Sequence, residues 1–99
     1  MLNQSLLVGR IVDTPVIVKE EDESFTIVTL SVPRSFRNEN GEYDNDVIPC
    51  KLWNSIAENT VEYCKQGDLI GVKGRLEMTD SGLQVIADKV TFLSSKIEK

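Results

Sequence analysis

Residues 47–53 constrain the fold of this chain more than any other segment, because apolar residues alternate along them with a period of two. In a β-strand, one face of this segment takes the apolar side chains Ile48, Cys50 and Leu52. The opposite face takes the remaining side chains, which are Val47, Pro49, Lys51 and Trp53. The first face suits the core of a small β-domain.

The second face predicts a binding surface, because an outward tryptophan beside a lysine suits a flat, anionic ligand. Single-stranded nucleic acid fits that description. The alternative is that Trp53 lies in the core, since a one-residue change of register or a bulge at Pro49 would turn its side chain inward. On this segment alone the two alternatives weigh equally.

Composition excludes several classes of function. Ninety-nine residues suffice for one domain with a single core. The chain has no histidine, and two isolated cysteines, Cys50 and Cys64, cannot form a thiolate zinc site. We therefore expect no enzyme activity, no metal, no cofactor and no small-molecule substrate. Both cysteines stand at apolar positions, so we expect buried, reduced thiols in a cytoplasmic protein, with a disulfide as the less favoured alternative.

The charge pattern leaves nucleic-acid binding open. A formal net charge of −5 argues weakly against a general phosphate-binding protein, because lysine and arginine supply most non-specific affinity for nucleic acid. The acids are concentrated in residues 20–23 and in Glu39, Glu42, Asp44 and Asp46, so a local basic groove is still feasible. The N-terminal apolar run is too short for a signal peptide, and no stretch approaches a transmembrane span. We expect no membrane association.

Five strand-like runs and one helix-like segment follow one another along the chain. The strands cover residues 6–12, 25–32, 47–53, 69–76 and 83–92. A change of apolar parity between Ile27 and Val28 predicts a bulge in the second strand. Between the third and fourth strands, Ser55 and Glu58 predict a capping box, and Gly67 predicts the end of the helix.

This element order predicts an all-β fold, the five-stranded Greek-key OB-fold barrel with one short helix between strands 3 and 4. Another small Greek-key or SH3-like barrel is the alternative. We assign residues 1–94 to a single OB-fold domain and residues 95–99 to a short polar C-terminal tail.

Five segments together resemble the bacterial and phage single-stranded DNA-binding proteins. They are LLVGR (6–10), LSVPRSF (30–36), AENTVEYCKQGD (57–68), GVKGRL (71–76) and VIADKVTFL (85–93). The resemblance covers nearly the whole chain. It implies an OB-fold that binds single-stranded DNA without sequence preference in replication, recombination or repair, commonly as a homotetramer, in the cytoplasm and associated with the nucleoid.

The resemblance also implies DNA-binding residues. Trp53 matches a third-strand aromatic that faces DNA in the family, which favours an outward position for the Trp53 side chain. Phe36 matches the family's stacking aromatic after the second strand. Val47 stands at a DNA-facing position where the family usually has an aromatic, so one stacking residue is missing. By strand parity, Lys51, Lys73 and Arg75 share a face and are expected to contact phosphates; ordinary solvated charge is the alternative.

A segment of thirteen residues, 34–46, separates the second and third strands and predicts a mobile binding flap. It carries Arg34 and Arg37, which would contact DNA or, alternatively, neutralise nearby acids. Tyr43 would contact a base or pack the loop, and packing is slightly favoured. Arg10, at the end of the first strand, is a further DNA-binding candidate, with an ordinary surface role equally supported.

The first strand predicts self-association, because Leu2, Leu6 and Val8 share one of its faces. Burial of these side chains within the monomer is the alternative. The resemblance favours a homotetramer over a dimer.

Two departures from the family favour other functions. The hairpin over residues 77–82 is short and acidic where the family has basic residues, and the chain ends at residues 96–99 without the family's acidic tail, so recruitment of partners through a tail is not expected. A dimeric accessory factor resembling primosomal protein N, and an OB-fold protein-interaction module with weak DNA binding, are therefore the alternative functions.

Overall fold

The computed structural model describes residues 1–95. Its elements, in chain order, are β1 (Ser5–Ile11), β2 (Val18–Glu20), β3 (Glu23–Arg37), β4 (Tyr43–Trp53), α1 (Asn54–Tyr63), β5 (Leu69–Thr79) and β6 (Gly82–Ser94). Most of the predicted tail, residues 96–99, lies outside the described residues. Within residues 1–95, no helix is long and apolar enough to cross a membrane.

The five long strands form a closed barrel. Their order is β1-β5-β6-β4-β3, and β1 pairs back onto β3 at Arg10 and Ile11 to close it. Neighbouring strands are antiparallel except β4 and β6, which pair in parallel over only two residues. With α1 between β4 and β5, this is the predicted OB-fold. The short strand β2, which pairs with the start of β3, was not predicted.

Alternating residues of these strands fill the core. The fully buried apolar side chains include Val28, Leu30, Cys50, Leu52, Ile70 and Val72. The predicted alternation along β4 is therefore confirmed. Cys50 and Cys64 are buried free thiols, as expected, and burial raises the pKa of Cys50 to about 12. Burial, with a smaller effect of the Asp68 charge, raises the pKa of Cys64 to about 11.

The predicted bulge between Ile27 and Val28 is wrong, because β3 pairs with β4 without interruption through this region. The inner face of β3 begins instead with two buried polar residues, Ser24 and Thr26. The Ser24 hydroxyl donates to the Glu58 carboxylate (2.8 Å), and the Thr26 hydroxyl donates to a backbone carbonyl (2.8 Å). The alternation of apolar residues therefore assigned the wrong face to the start of β3, because polar side chains can be buried in the core when they are hydrogen-bonded.

The predicted capping box is also wrong, because the Glu58 carboxylate is used by Ser24 rather than by the helix end. Trp53 occupies the position before the first helical residue, in extended conformation and without a side-chain cap. The helix ends at Tyr63, before Gly67. Gly67 serves the following turn, where its φ of +90° suits glycine.

The predicted thirteen-residue loop is wrong as well, because both strands continue into it. β3 extends to Arg37 and β4 begins at Tyr43, so residues 34–46 form a β-hairpin that we call the arm. Its turn is closed by Asn38, whose side-chain oxygen accepts the backbone N–H groups of Asn40 (2.9 Å) and Glu42 (3.0 Å). The segment is therefore an ordered extension of the barrel.

Candidate functional site

The strands β3 and β4 present a continuous outer face, which we call the β3–β4 face. Its residues pair across the ladder as Phe25 with Trp53, Ile27 with Lys51, Thr29 with Pro49 and Ser31 with Val47. At about 3.3 Å per residue, the ten steps from Trp53 back to Tyr43 on the arm span about 33 Å. A surface this long and narrow suits a chain-like ligand.

Two aromatic rings and one cation meet at one end of this face, and we call them the ring cluster. The Lys51 ammonium lies 4.3 Å from the centre of the Trp53 ring and 4.6 Å from the centre of the Phe25 ring. The two ring centres are 5.4 Å apart, with the planes tilted by 52°. All three side chains are half-buried, so the structure places Trp53 outside the core.

Sequence reasoning missed Phe25, because the apparent change of parity assigned it to a bulged strand. The antiparallel register of β3 and β4 places it directly opposite Trp53. Side chains in such opposite positions lie close enough to contact each other. Only a correct register between the two strands could have found this partner.

The arm carries the second group of candidate residues. Phe36 is 72% exposed there, and the Arg37 guanidinium lies 5.5 Å from the centre of the Tyr43 ring. Arg34 donates to the Asp46 carboxylate, with Nη2 2.9 Å from one oxygen and Nε 3.2–3.3 Å from both. This bond lowers the pKa of Asp46 and raises that of Arg34. Arg34 thus neutralises an acid, which is the alternative role considered for it, whereas Arg37 lies over an aromatic ring.

The remaining predicted cations lie on β4 and β5. Strand pairing joins Lys51 to Ile86 and Ile86 to Arg75, so these two cations lie on one face. A shift of register between Lys73 and Gly74 separates Lys73, the third cation predicted for that face, from this pairing. Lys73, two residues before Arg75, lies between Leu6 and Lys89. Arg75 is close to two acids, at 3.4 Å from Glu77 and 3.6 Å from Asp88. Part of the positive charge on this face is therefore balanced by neighbouring carboxylates.

Arg10 is held at a different place. Its guanidinium donates to the Gly67 carbonyl (3.0 Å), in the turn after the helix. Arg10 pairs with Ser31, which is six residues, or about 20 Å, from Phe25 along β3. Arg10 therefore lies beside the Ser31 end of the β3–β4 face, away from the ring cluster.

Val47 lies near the middle of the β3–β4 face and is 62% exposed. With Pro49, it borders an aliphatic groove of about 240 Å³ that Leu76 and Leu83 also line. Leu76 and Leu83 were not predicted as site residues. An aliphatic surface therefore lies at the position where the resemblance implied that a stacking aromatic is missing.

The outer side of β1 forms a separate apolar surface. Leu2, Leu6 and Val8 are 89%, 75% and 48% exposed, so the alternative of burial within the monomer is wrong. β1 pairs with β5 along one edge, whereas its other edge pairs with β3 only at Arg10 and Ile11. Its first residues thus offer both an apolar face and an open backbone edge.

Comparisons with known proteins agree with this geometry. The profile of the single-strand binding protein family matches residues 2–93. The chain is 39% identical to single-stranded DNA-binding protein B of Bacillus subtilis, over 97% of this chain and 94% of that protein. It is 35% identical to single-stranded DNA-binding protein 1 of Clostridium acetobutylicum, over 98% of both chains.

A solved structure shows the same fold. The second single-stranded DNA-binding protein of Mycobacterium smegmatis superposes with a TM-score of 0.77, at 20% identity and 98% coverage of both chains. The family profile spans nearly all of the described barrel, and both relatives match almost from end to end. This chain therefore belongs to the single-strand binding protein family.

Proposed function

We propose that this protein binds single-stranded DNA without sequence preference, along the β3–β4 face and the arm. The observation that carries the proposal is the ring cluster, in which Phe25, Trp53 and a lysine ammonium meet on the outside of the barrel. Bases stack on such rings with about 1–3 kcal/mol each, whatever their identity, because every base has a π-face. Both relatives are named single-stranded DNA-binding proteins, which supports the same ligand.

The path of the DNA follows from the length of the surface. A strand that stacks on Trp53 at one end can reach exposed Phe36 and Tyr43 on the arm. Phosphates would then be contacted by the neighbouring cations, which are Lys51, Lys73, Arg75, Arg34 and Arg37. Because the chain carries a net charge of −5, this binding depends on local cations rather than on overall charge.

Assembly is the second part of the proposal. We propose that Leu2, Leu6 and Val8 bury their exposed side chains against a second copy of β1, and that two such dimers form a homotetramer. Such an assembly would act in DNA replication, recombination or repair, with no catalytic step. Light scattering distinguishes a tetramer from a dimer, and a dimer would favour the accessory factor resembling primosomal protein N.

One observation favours a second candidate function, a protein-interaction module with weak DNA binding. Arg34 pairs with Asp46, and Arg75 lies beside Glu77 and Asp88, so two of the proposed phosphate contacts face carboxylates of the same chain. If this function is correct, the fluorescence of Trp53 stays unchanged when oligo-dT is added at low salt.

Fluorescence anisotropy with a labelled oligo-dT strand tests the proposal. We expect the protein to bind oligo-dT far more tightly than the same sequence annealed into a duplex, because only single strands expose the faces of their bases. Equal affinity for the two forms would show that phosphate attraction alone drives binding and that the rings take no part.

A further inference from the structure

Lys51 extends over the aromatic rings beside it on the β3–β4 face. Its ammonium lies over both rings of the ring cluster, at 4.3 Å and 4.6 Å from their centres. We infer that Phe25 and Trp53 form one base-binding site, and that Lys51 is a positioning residue that covers this site in the free protein and moves off it when DNA binds. The inference rests on the proposed function, which it deepens.

The geometry first indicates that the two rings act together. Phe25 and Trp53 are directly opposite each other in the ladder, with centres 5.4 Å apart and planes tilted by 52°. Tilted rings in contact on the outer face of a sheet leave a shallow cleft. A base that stacks on one ring of this pair contacts the other with its edge, so both rings contribute to its binding.

The position of the ammonium then indicates competition with a base. Atoms in van der Waals contact are separated by about 3.5–4.0 Å, so an ammonium 4.3 Å from the centre of the Trp53 ring occupies the layer where a stacked base would lie. The two cannot share that ring face. Lys51 must therefore leave before a base can stack there.

The magnitudes indicate that the exchange can occur. An exposed cation–π contact shifts an equilibrium by about two- to fivefold, whereas stacking of one base shifts it by about five- to 150-fold. The lysine stem has four flexible carbons, so its ammonium can turn from the rings to a nearby phosphate. Lys51 would thus oppose DNA binding through the rings and favour it through charge.

This double role predicts a distinctive salt dependence of DNA binding when Lys51 is replaced. We choose Lys51→Thr, because threonine suits a strand and is too short to cover the rings. Losing one phosphate contact lowers the slope of log K against log salt by about 0.7 for a single strand, which is about fivefold in affinity per decade of salt. We expect the variant to bind oligo-dT about twofold more weakly than wild type at about 50 mM salt and about twofold more tightly at about 500 mM, so that the two lines cross.

Lys73→Thr is the matched control, because Lys73 is an exposed lysine of β5 flanked by Leu6 and Lys89 rather than by the ring cluster. It should bind as wild type or more weakly at every salt concentration. A Lys51→Thr variant that is weaker than wild type throughout would mean that Lys51 serves only as a phosphate contact, and the covering role would be refuted. If Lys51→Thr melts far below wild type, Lys51→Gln, which keeps most of the stem, gives the same comparison.

A second variant tests the two-ring site. Phe25→Leu should weaken oligo-dT binding about tenfold without changing the salt slope, because it removes a ring but no charge. Phe92→Leu is the control, because the Phe92 ring on β6 contacts Tyr63 of α1 (centres 6.2 Å apart) rather than the ring cluster. It should change affinity less than twofold, with melting by circular dichroism showing that both variants are folded. Wild-type affinity in folded Phe25→Leu would exclude Phe25 from the site. Failure of the wild-type protein itself to bind oligo-dT would instead overturn the proposed function.

Discussion

Asp46→Asn should strengthen DNA binding, because it releases an arginine that the free protein pairs internally. Arg34 donates to both oxygens of the Asp46 carboxylate over 2.9–3.3 Å, and both side chains are about half exposed. A neutral amide has one oxygen and no charge, so it cannot hold the guanidinium in this way. The freed guanidinium is then available to a phosphate.

The magnitude follows from counterion release. One additional phosphate contact steepens the slope of log K against log salt by about 0.7 for a single strand. When salt is lowered fourfold, from about 200 mM to about 50 mM, the advantage of the variant over wild type should therefore grow between about two- and threefold. Anisotropy titrations of labelled oligo-dT over that salt range measure this change. The melting temperature should stay nearly constant, because exposed ion pairs contribute little to stability.

The matched control is Asp44→Asn, which removes an equal charge from the arm and disrupts a hydrogen bond from the Asn38 amide (3.0 Å). The charge of Asp44 has only a small effect on Arg34 compared with that of Asp46. The effect of Asp44→Asn on the salt slope should be smaller. Because Arg34 lowers the pKa of Asp46 below its ordinary value of 3.8, the wild-type carboxylate stays charged above that pH. The difference between Asp46→Asn and wild type should thus persist from about pH 5 to about pH 8. Weaker binding by Asp46→Asn at every salt concentration would show that Asp46 holds Arg34 in place for DNA, and the reasoning would be refuted.

Three further predictions follow from the same structure. Trp53→Ala should weaken oligo-dT binding more than Lys51→Ala does at moderate salt, and it should leave the slope of log K against log salt nearly unchanged. If circular dichroism shows that the Trp53→Ala variant is unfolded, Trp53 is a core residue instead. Replacing Glu77 and Asp80 together by lysine should strengthen binding, with a gain that shrinks as salt rises, and unchanged affinity at low salt would mean that this hairpin does not reach the DNA. Gly74→Ala should lower the free energy of unfolding by about 2–3 kcal/mol, because its new methyl group would overlap a backbone carbonyl of β6. The control is Gly71→Ala, also on β5, where the new methyl group meets only ordinary van der Waals contacts. Equal melting temperatures for the two variants would contradict this prediction.

The sequence by itself determined the order of the long strands and the helix, and which face of β4 turns inward. These features are local, because alternation along residues 47–53 and the spacing of turn residues do not depend on distant parts of the chain. Local pattern misplaced the outward face of β3, since Ser24 and Thr26 are polar yet buried through hydrogen bonds to partners elsewhere in the chain.

Only the tertiary structure decided which side chains meet. The register between β3 and β4 brings Phe25 opposite Trp53, and it extends both strands into an ordered arm where a loop was expected. The reach of long side chains then places the Lys51 ammonium over two rings and binds Arg34 to Asp46. Pairing of this kind depends on the alignment of separate strands and on side-chain rotamers, and neither is encoded in the periodicity of a single segment.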